Sequence, residues 1–163
     1  MSLKKKILIM GVSGSGKTTI GKLLSKKLNY HFVDADDFHT EEAIEDMRNG
    51  IALSVKKRKY WIDKLFAYIG NMDPNIQLVV ACSALTRVAQ QMFKMSGFHI
   101  IHLEGDFKII QKRIKSRKGH FFFENLLSDQ FKTLDNPEPD LTLNTEDSPE
   151  SLIDQIVTCL NIK

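Results

Sequence analysis

Short apolar runs alternate with longer amphipathic segments along this chain. The runs with the length and composition of buried strands cover 6–10, 30–33, 76–81, 98–103 and, more weakly, 140–143. Apolar residues at helical spacing predict helices between residue 16 and Leu28, and over 40–48, 55–69, 84–95, 107–116 and 149–160. Strands that alternate with helices are typical of an α/β fold, with a parallel sheet covered on both faces. Ligands bind beyond the carboxyl ends of such strands, so the residues that follow each strand are the first candidates.

A glycine-rich loop follows the first predicted strand directly. Its sequence, Gly11-Val12-Ser13-Gly14-Ser15-Gly16-Lys17-Thr18, matches G-x-x-x-x-G-K-[ST] without a mismatch. The glycines let backbone N–H groups turn toward phosphate oxygens, and the helix that follows adds its dipole. This strand–loop–helix context disfavours the alternative, an ordinary glycine turn. We therefore predict that ATP binds to Gly11, Ser13, Gly14, Ser15, Gly16, Lys17, Thr18 and Thr19, with Lys17 on the β- and γ-phosphates and the Thr18 hydroxyl on Mg²⁺.

Two carboxylates two residues apart, Asp34 and Asp36, lie just after the second strand, in Asp34-Ala35-Asp36-Asp37-Phe38-His39. In a phosphotransferase, one carboxylate helps to hold Mg²⁺ and another accepts the proton of the attacking hydroxyl. Asp34 and Asp36 are the candidates, and their spacing leaves open which takes which role. We expect Asp37 only to cap the next helix. A lone histidine is as often structural as functional, so His39 stays open here.

The segment after the third strand is Cys82-Ser83-Ala84-Leu85-Thr86-Arg87. Its small residues, Ser83 among them, let a substrate approach the backbone, and Arg87 can pair with an anionic group. The segment has no acidic residue, so the carboxylate that often ends this strand in P-loop proteins is missing here. Asp106, after the fourth strand, is predicted to cap the helix that follows it.

A run of basic residues leads from a predicted helix into Gly119, over 112–121. The commoner meaning of such a run is a solvated helix face. Next to a phosphate loop, it favours a lid over about 117–131, in which positive charge stabilises the transferring phosphoryl group and water is excluded.

Composition narrows the function further. The 163 residues carry a net charge of +3, which is too weak to indicate nucleic-acid binding. Two cysteines provide neither a disulfide framework nor metal-ligand spacing, which fits a reducing, cytoplasmic setting. No apolar stretch reaches the roughly 20 residues of a membrane span, and no secretory pattern opens the chain. We predict a single domain over 1–163, with no membrane or nucleic-acid partner.

Several further pieces, in order along the chain, resemble the thermoresistant type of gluconokinase, a family of small P-loop kinases related to shikimate kinases. The pieces beyond the loop are Asp34-Ala35-Asp36-Asp37-Phe38-His39, Arg58 with Trp61, Cys82-Ser83-Ala84-Leu85, Arg117-Lys118-Gly119-His120-Phe121 and Gln130-Phe131. The resemblance implies a three-layer α/β/α fold with a five-stranded parallel sheet and a small lid. It also implies transfer of the γ-phosphate of ATP to the 6-hydroxyl of D-gluconate with Mg²⁺, and a homodimer.

The same resemblance implies roles for individual residues. Lys17 would bind the phosphates, Thr18 and Asp34 would hold the metal, and Asp36 would orient and deprotonate the sugar hydroxyl. The other implied contacts are His39, Arg58 and His120 to the acceptor, Arg113 to adenine, and Arg117 from the lid to the phosphates. Lys17, Asp36 and Arg117 are thus the predicted catalytic residues.

The chain departs from the family pattern on the side that binds the acceptor. The family is aspartate-rich where this chain has Val55-Lys56-Lys57, and other departures occur at Ala43, Tyr60, Thr86 and 89–91. The added lysines favour either a more anionic acceptor or simple drift of the surface, and drift is the preferred interpretation. Two further hypotheses remain: a kinase for another small acceptor, such as a nucleoside, a shikimate-like acid or adenylyl sulfate, and a nucleotide-binding regulatory module without transferase activity.

Overall fold

Five parallel strands form the sheet at the centre of the structure, a computed structural model that describes residues 5–117 and 124–162. Their order across the sheet is β2-β3-β1-β4-β5. The strands are β1 (Lys6–Met10), β2 (His31–Asp34), β3 (Leu78–Ala81), β4 (Phe98–Glu104) and β5 (Leu141–Asn144). The predicted five-stranded parallel sheet is therefore confirmed, with each strand within two residues of its predicted bounds.

Helices connect the strands and cover both faces. They are α1 (Lys17–Leu28), α2 (Glu41–Arg48), α3 (Val55–Gly70), α4 (Arg87–Met95), α5 (Phe107–Ser116), α6 (Glu124–Thr133) and α7 (Pro149–Cys159). A single 3₁₀ turn over Ala35–Phe38 links β2 to α2. None of the helices in the described ranges is long and apolar enough to cross a membrane.

Alternate residues of β1 enter two separate hydrophobic clusters. Leu8 and Met10 pack with residues of α3 and α4 on one face, while Ile7 and Ile9 pack with residues of α1 and α7 on the other. All four side chains are fully buried. This explains the continuous apolar run at 6–10, because a strand that is buried on both faces has no polar alternation.

Local capping sets the starts of three helices, and two of these caps differ from the predictions. Thr86 accepts a hydrogen bond from the N–H of Ala89 and starts α4 at Arg87, three residues later than predicted. Asp106 caps α5 through the N–H of Lys108, as predicted. The prediction for Asp37 was wrong: Thr40 caps α2, since the helix begins after the 3₁₀ turn that contains Asp37.

The register brings the ends of three strands to one level. Ile9 of β1 pairs with Ala81 of β3, and Ala81 in turn pairs with Asp34 of β2. The phosphate loop after β1, the carboxylates after β2 and the small residues after β3 therefore meet at one edge of the sheet.

Candidate active site

A cavity of about 900 Å³ opens at this edge of the sheet. Its walls come from the phosphate loop, the 3₁₀ turn, the end of β3, α6 and the helical hairpin formed by α2, α3 and their connection (41–70), here called the acceptor half. Eleven of the residues predicted from the sequence line it: Ser13, Gly14, Gly16, Lys17, Thr18, Thr19, Asp36, His39, Arg58, Ser83 and Arg117. The fold thus brings together residues that lie up to a hundred positions apart.

The phosphate loop has the tight geometry that its glycines permit. A Cβ on Gly11 would lie 2.8 Å from the carbonyl oxygen of Leu103, so a larger residue would push the loop off β4. Gly16 has φ of 98° at the start of α1, a conformation that side chains strongly disfavour. Ser15 is buried beneath the loop, where its hydroxyl has no hydrogen-bond partner among the described residues.

Lys17 places a half-buried cation in the cavity. Its Nζ donates to the carbonyl oxygen of Val12 at 2.9 Å. Burial lowers the pKa of Lys17, while the charges of Asp36 and Asp34 oppose that shift. A partly buried ammonium of this kind is stabilised by anionic groups, and phosphate oxygens supply them.

Asp34 and Thr18 form a pair of oxygen donors beside the loop. The Thr18 hydroxyl donates to Oδ2 of Asp34 at 2.7 Å, and Oδ1 of Asp34 accepts from the N–H of Asp36 at 3.0 Å. No group of three or more His, Cys, Asp or Glu side chains within 5–117 and 124–162 could hold a metal by itself. A hydroxyl and one carboxylate fit Mg²⁺, which takes few protein oxygens and completes its shell with water and phosphate.

Asp36 projects into the cavity with 73% of its side chain exposed. Its Oδ1 lies 3.7 Å from Nε2 of His39. The interaction with His39 is the main cause that lowers the pKa of Asp36; burial opposes it and the charge of Lys17 adds to it. Asp36 is therefore an ionised, accessible carboxylate at the point where the nucleotide and acceptor sides meet.

His39 is held by an aromatic support. Its ring stacks on Trp61 with centroids 4.3 Å apart and an interplanar angle of 18°. Trp61 is in turn fixed by its Nε1, which donates to the carbonyl oxygen of Ala35 at 2.6 Å. The buried Nδ1 of His39 has no hydrogen-bond partner among the described residues. His39 can thus act both as packing and as a polar contact for a ligand, which its sequence context left open.

Arg58 projects from α3 into the cavity, and only 13% of its side chain is exposed. Burial lowers the pKa of Arg58, and the carboxylate of Asp129 opposes the shift from 3.6 Å. That distance exceeds a hydrogen bond, so Asp129 leaves the guanidinium donors available to a second anion.

Three polar residues of the cavity wall were not among the predicted contacts: Arg48, Asp129 and Gln130. Arg48 ends α2, and the other two are on α6, a helix that was not predicted. The spacing of Leu127, Phe131 and Leu134 carried the signal for α6, because these residues repeat at helical intervals and belong to one hydrophobic cluster.

Two of the predicted arginine contacts do not line this cavity. Arg87 lies at the start of α4 and lines a separate cavity of about 50 Å³, beside Lys94 and Glu138. Arg113 donates to the backbone carbonyl of Thr145, on the loop after β5. His120 lies outside the described residues, as do the other residues of the predicted lid over 118–123.

The lysines that distinguish the acceptor half do not line the cavity. Lys57 bridges from α3 to Glu42, at 2.8 Å, and to Asp46, both on α2. Its charge is thus balanced within the hairpin. This geometry supports surface drift, rather than a more anionic acceptor, as the meaning of the added lysines.

Comparison with known proteins places this site in a family. The sequence model of the shikimate kinase family matches residues 13–160. A probable gluconokinase of Rattus norvegicus is 35% identical over 152 residues, which cover 80% of this chain and 82% of the relative. The thermoresistant gluconokinase of Escherichia coli is 37% identical over 139 residues, covering 83% of this chain and 79% of the relative. The crystal structure of a gluconokinase from Sinorhizobium meliloti superimposes with a TM-score of 0.85 at 27% identity, over 97% of this chain and 92% of that one.

Proposed function

Since the chain belongs to the gluconokinases, within the shikimate kinase family of P-loop kinases, we propose that it transfers the γ-phosphate of ATP to the 6-hydroxyl of D-gluconate. One observation carries the proposal. A single cavity joins the phosphate loop with Lys17, the accessible carboxylate of Asp36 and the buried guanidinium of Arg58. Phosphoryl transfer requires this juxtaposition of a phosphate site, a proton acceptor and an acceptor site.

The nucleotide side of the cavity holds and polarises the phosphates. Backbone N–H groups of the loop and the Lys17 ammonium bind phosphate oxygens, and Arg117 adds positive charge from the end of α5. Thr18 and Asp34 are the residues that would hold Mg²⁺, which supplies charge neutralisation on the phosphates when bound. Arg113, close to the loop after β5, is proposed to pack on adenine.

Asp36 directs the attack of the acceptor. Its carboxylate accepts a hydrogen bond from the 6-hydroxyl and orients that oxygen toward the γ-phosphorus. The new O6–P bond forms as the bond between the γ-phosphorus and the β–γ bridging oxygen breaks, ADP leaves, and the hydroxyl proton passes to Asp36. A carboxylate whose pKa is lowered is a weak base, and this suits a loose transition state in which the proton moves late.

The acceptor half supplies the contacts that make the substrate a sugar acid. Arg58 is proposed to bind the carboxylate of gluconate, because its largely buried guanidinium lies 3.6 Å from the carboxylate of Asp129, beyond hydrogen-bond distance. His39 and Ser83 line the same cavity and are proposed to contact the hydroxyl groups. His120 is proposed as a further acceptor contact from the lid. Arg87 is not included, since it faces another cavity.

The wider organisation belongs to the same proposal. One kinase domain spans 1–163, and its segment 117–131 closes over the phosphates to exclude water. Arg117 and the cavity-lining residues of α6 belong to that segment, which supports its role as a lid. We also propose that the protein works as a cytoplasmic homodimer, as the family resemblance implies; free cysteines at 82 and 159 fit a reducing compartment.

An assay of ADP release with Mg²⁺-ATP tests the proposal against a panel of sugar acids, neutral sugars and shikimate. We expect strong turnover with D-gluconate alone. Turnover with a different acceptor would show that D-gluconate is not the substrate, but it would still support phosphoryl transfer from ATP. Binding of ATP without turnover on any acceptor of the panel would contradict the proposal and favour the regulatory module.

A further inference from the structure

Helix α6 is joined to the phosphate loop by a side-chain amide. The Oε1 of Gln130 accepts from the backbone N–H of Ser13 at 2.7 Å, and its Nε2 donates to the Ser13 hydroxyl at 2.9 Å. Because a backbone N–H can only donate, the amide oxygen must face it, and this fixes the orientation of the whole group. The two residues are 117 positions apart, so the contact depends entirely on the tertiary fold.

The location of α6 does not depend on this amide. Leu126 is buried, and the ring of Phe131 packs edge-on against Phe107 with centroids 5.3 Å apart. At the other end of the helix, Asn125 donates to the backbone carbonyl of Gly50 at 2.7 Å. These contacts hold the helix on both sides, so the two hydrogen bonds of Gln130 act mainly on the loop and not on the helix.

Ser13 belongs to the part of the loop that faces the cavity, together with Gly14 and Lys17. A phosphate loop works through the direction of its peptide N–H groups, and glycine-rich loops are free to rotate them. A partner that holds both the N–H and the side chain of one loop residue removes that freedom. The loop then needs less reorganisation to bind phosphate in one geometry.

The neighbouring residue of the same helix contacts the other side of the cavity. Asp129 lies 3.6 Å from Arg58 in the acceptor half, one position before Gln130. One turn of α6 thus contacts both the phosphate loop and the residue proposed to bind the acceptor carboxylate. Phosphate and acceptor are aligned against each other through this turn.

We infer that Gln130 is a positioning residue for phosphoryl transfer: it holds the Ser13 peptide and hydroxyl so that the phosphate loop aligns the γ-phosphate with the acceptor. The inference rests on the proposed function, but one of its consequences does not require an acceptor. Nucleotide affinity should depend on Gln130 even when no sugar acid is present.

The test replaces Gln130 with leucine, which fills a similar volume without hydrogen bonds. We expect Gln130→Leu to lower kcat by about 10-fold or more and to weaken binding of a non-hydrolysable ATP analogue about 5-fold. The KM for gluconate should stay within about twofold, and Tm within about 3 °C, since α6 keeps its other contacts. The matched control is Gln155→Leu: Gln155 also makes two side-chain hydrogen bonds, to Asp147 and Ser151, but on the exposed face of α7.

A second variant, Gln130→Glu, keeps an oxygen for the Ser13 N–H, loses the donor to the Ser13 hydroxyl and adds negative charge next to the phosphates. Its analogue binding should be weaker than that of Gln130→Leu at low salt, and the difference should shrink at high salt. Nucleotide affinity and kcat within twofold of wild type in Gln130→Leu would overturn the inference, as would a lowered Tm with unchanged kcat. If the wild-type protein turned over no gluconate, the proposed function would fail, while a loss of analogue affinity in Gln130→Leu would still support this role.

Discussion

The phosphate loop and the acceptor half line one cavity, but their geometry arises in different ways. The loop is a contiguous run, Gly11–Thr18, whose shape is set by its own glycines, by β1 and by the start of α1. The geometry of the acceptor half depends on contacts with other elements, such as the stack of His39 on Trp61 and the approach of Asp129 to Arg58. Phosphate chemistry is therefore encoded locally in this chain, whereas the choice of acceptor is distributed over the fold.

The largest effect on activity is expected from a substitution in the phosphate loop. Lys17→Ala removes the ammonium of the phosphate loop, so kcat/KM for ATP should fall about 10³-fold and kcat on the order of 10²-fold or more. Steady-state kinetics with gluconate measures both values. Lys22→Ala is the control, because Lys22 is exposed on the same helix and borders a different cavity. Near wild-type turnover in Lys17→Ala would show that the phosphate loop does not carry out phosphoryl transfer.

Asp36 lies between the phosphate loop and the acceptor half. Its substitution should affect phosphoryl transfer but not nucleotide binding. We expect Asp36→Asn to lower kcat about 10²-fold while affinity for an ATP analogue stays within twofold, because the amide cannot accept the proton. Asp37→Asn is the matched control, since Asp37 is exposed in the same 3₁₀ turn.

The pH dependence of Asp36 gives a second test. The ionised form is active, and its pKa is lowered from the usual 3.8, so kcat/KM should lose no activity through Asp36 as the pH falls from about 7 to 5. Activity, and any stability that the ionised Asp36 contributes, is lost only as the pH falls through this lowered pKa. An acid limb above pH 5 that is absent from Asp36→Asn, measured on its residual activity, would contradict the assignment.

A substitution in the acceptor half should change acceptor binding and have less effect on nucleotide binding. We expect Arg58→Ala to raise KM for gluconate about 30-fold and to leave KM for ATP within twofold, because a charge-assisted contact to the carboxylate is lost. Lys59→Ala serves as the control, since Lys59 is exposed on α3 and pairs with Asp63. An equal rise in both KM values would mean that Arg58 supports the whole cavity instead of recognising the acceptor.

The smallest effect should come from the lysines that distinguish this chain. Lys57 is paired with Glu42 and Asp46 and does not line the cavity, so Lys57→Gln should change KM for gluconate less than about twofold. Kinetics with gluconate and with a dianionic sugar acid distinguish surface drift from recognition of a more anionic acceptor. A selective loss of activity on the dianion would show that the lysine serves recognition and is not surface drift.

The contrast between the locally encoded phosphate loop and the acceptor half, which depends on the whole fold, also explains which features the sequence could predict. The buried run of β1 and the contiguous loop carry their structure in adjacent residues, so the strand, the loop and its helix were predictable. The start of α4 was displaced because Thr86 caps it, and Ala84 takes a positive φ of 45° that a periodic pattern does not reveal. Asp129 and Gln130 became cavity residues only through the placement of α6, because the helical spacing of its apolar residues does not reveal where the helix packs.

Roles that depend on orientation were hardest to infer from sequence. Arg87 and Arg58 are both arginines at helix N-termini, yet only Arg58 faces the cavity. His39 combines a stack on Trp61 with a position beside Asp36, so neither a purely structural nor a purely functional interpretation describes it. Tertiary packing decides these cases, because it sets which face of each element borders the cavity.

The position of the transferred phosphate tests the central claim most directly. We would incubate the protein with Mg²⁺-ATP and D-gluconate and record the ³¹P NMR spectrum of the product with proton coupling. Transfer to the primary 6-hydroxyl predicts a phosphate ester signal that is split into a triplet by the two C6 protons. A doublet, which marks a secondary hydroxyl, or inorganic phosphate as the only product would contradict the account.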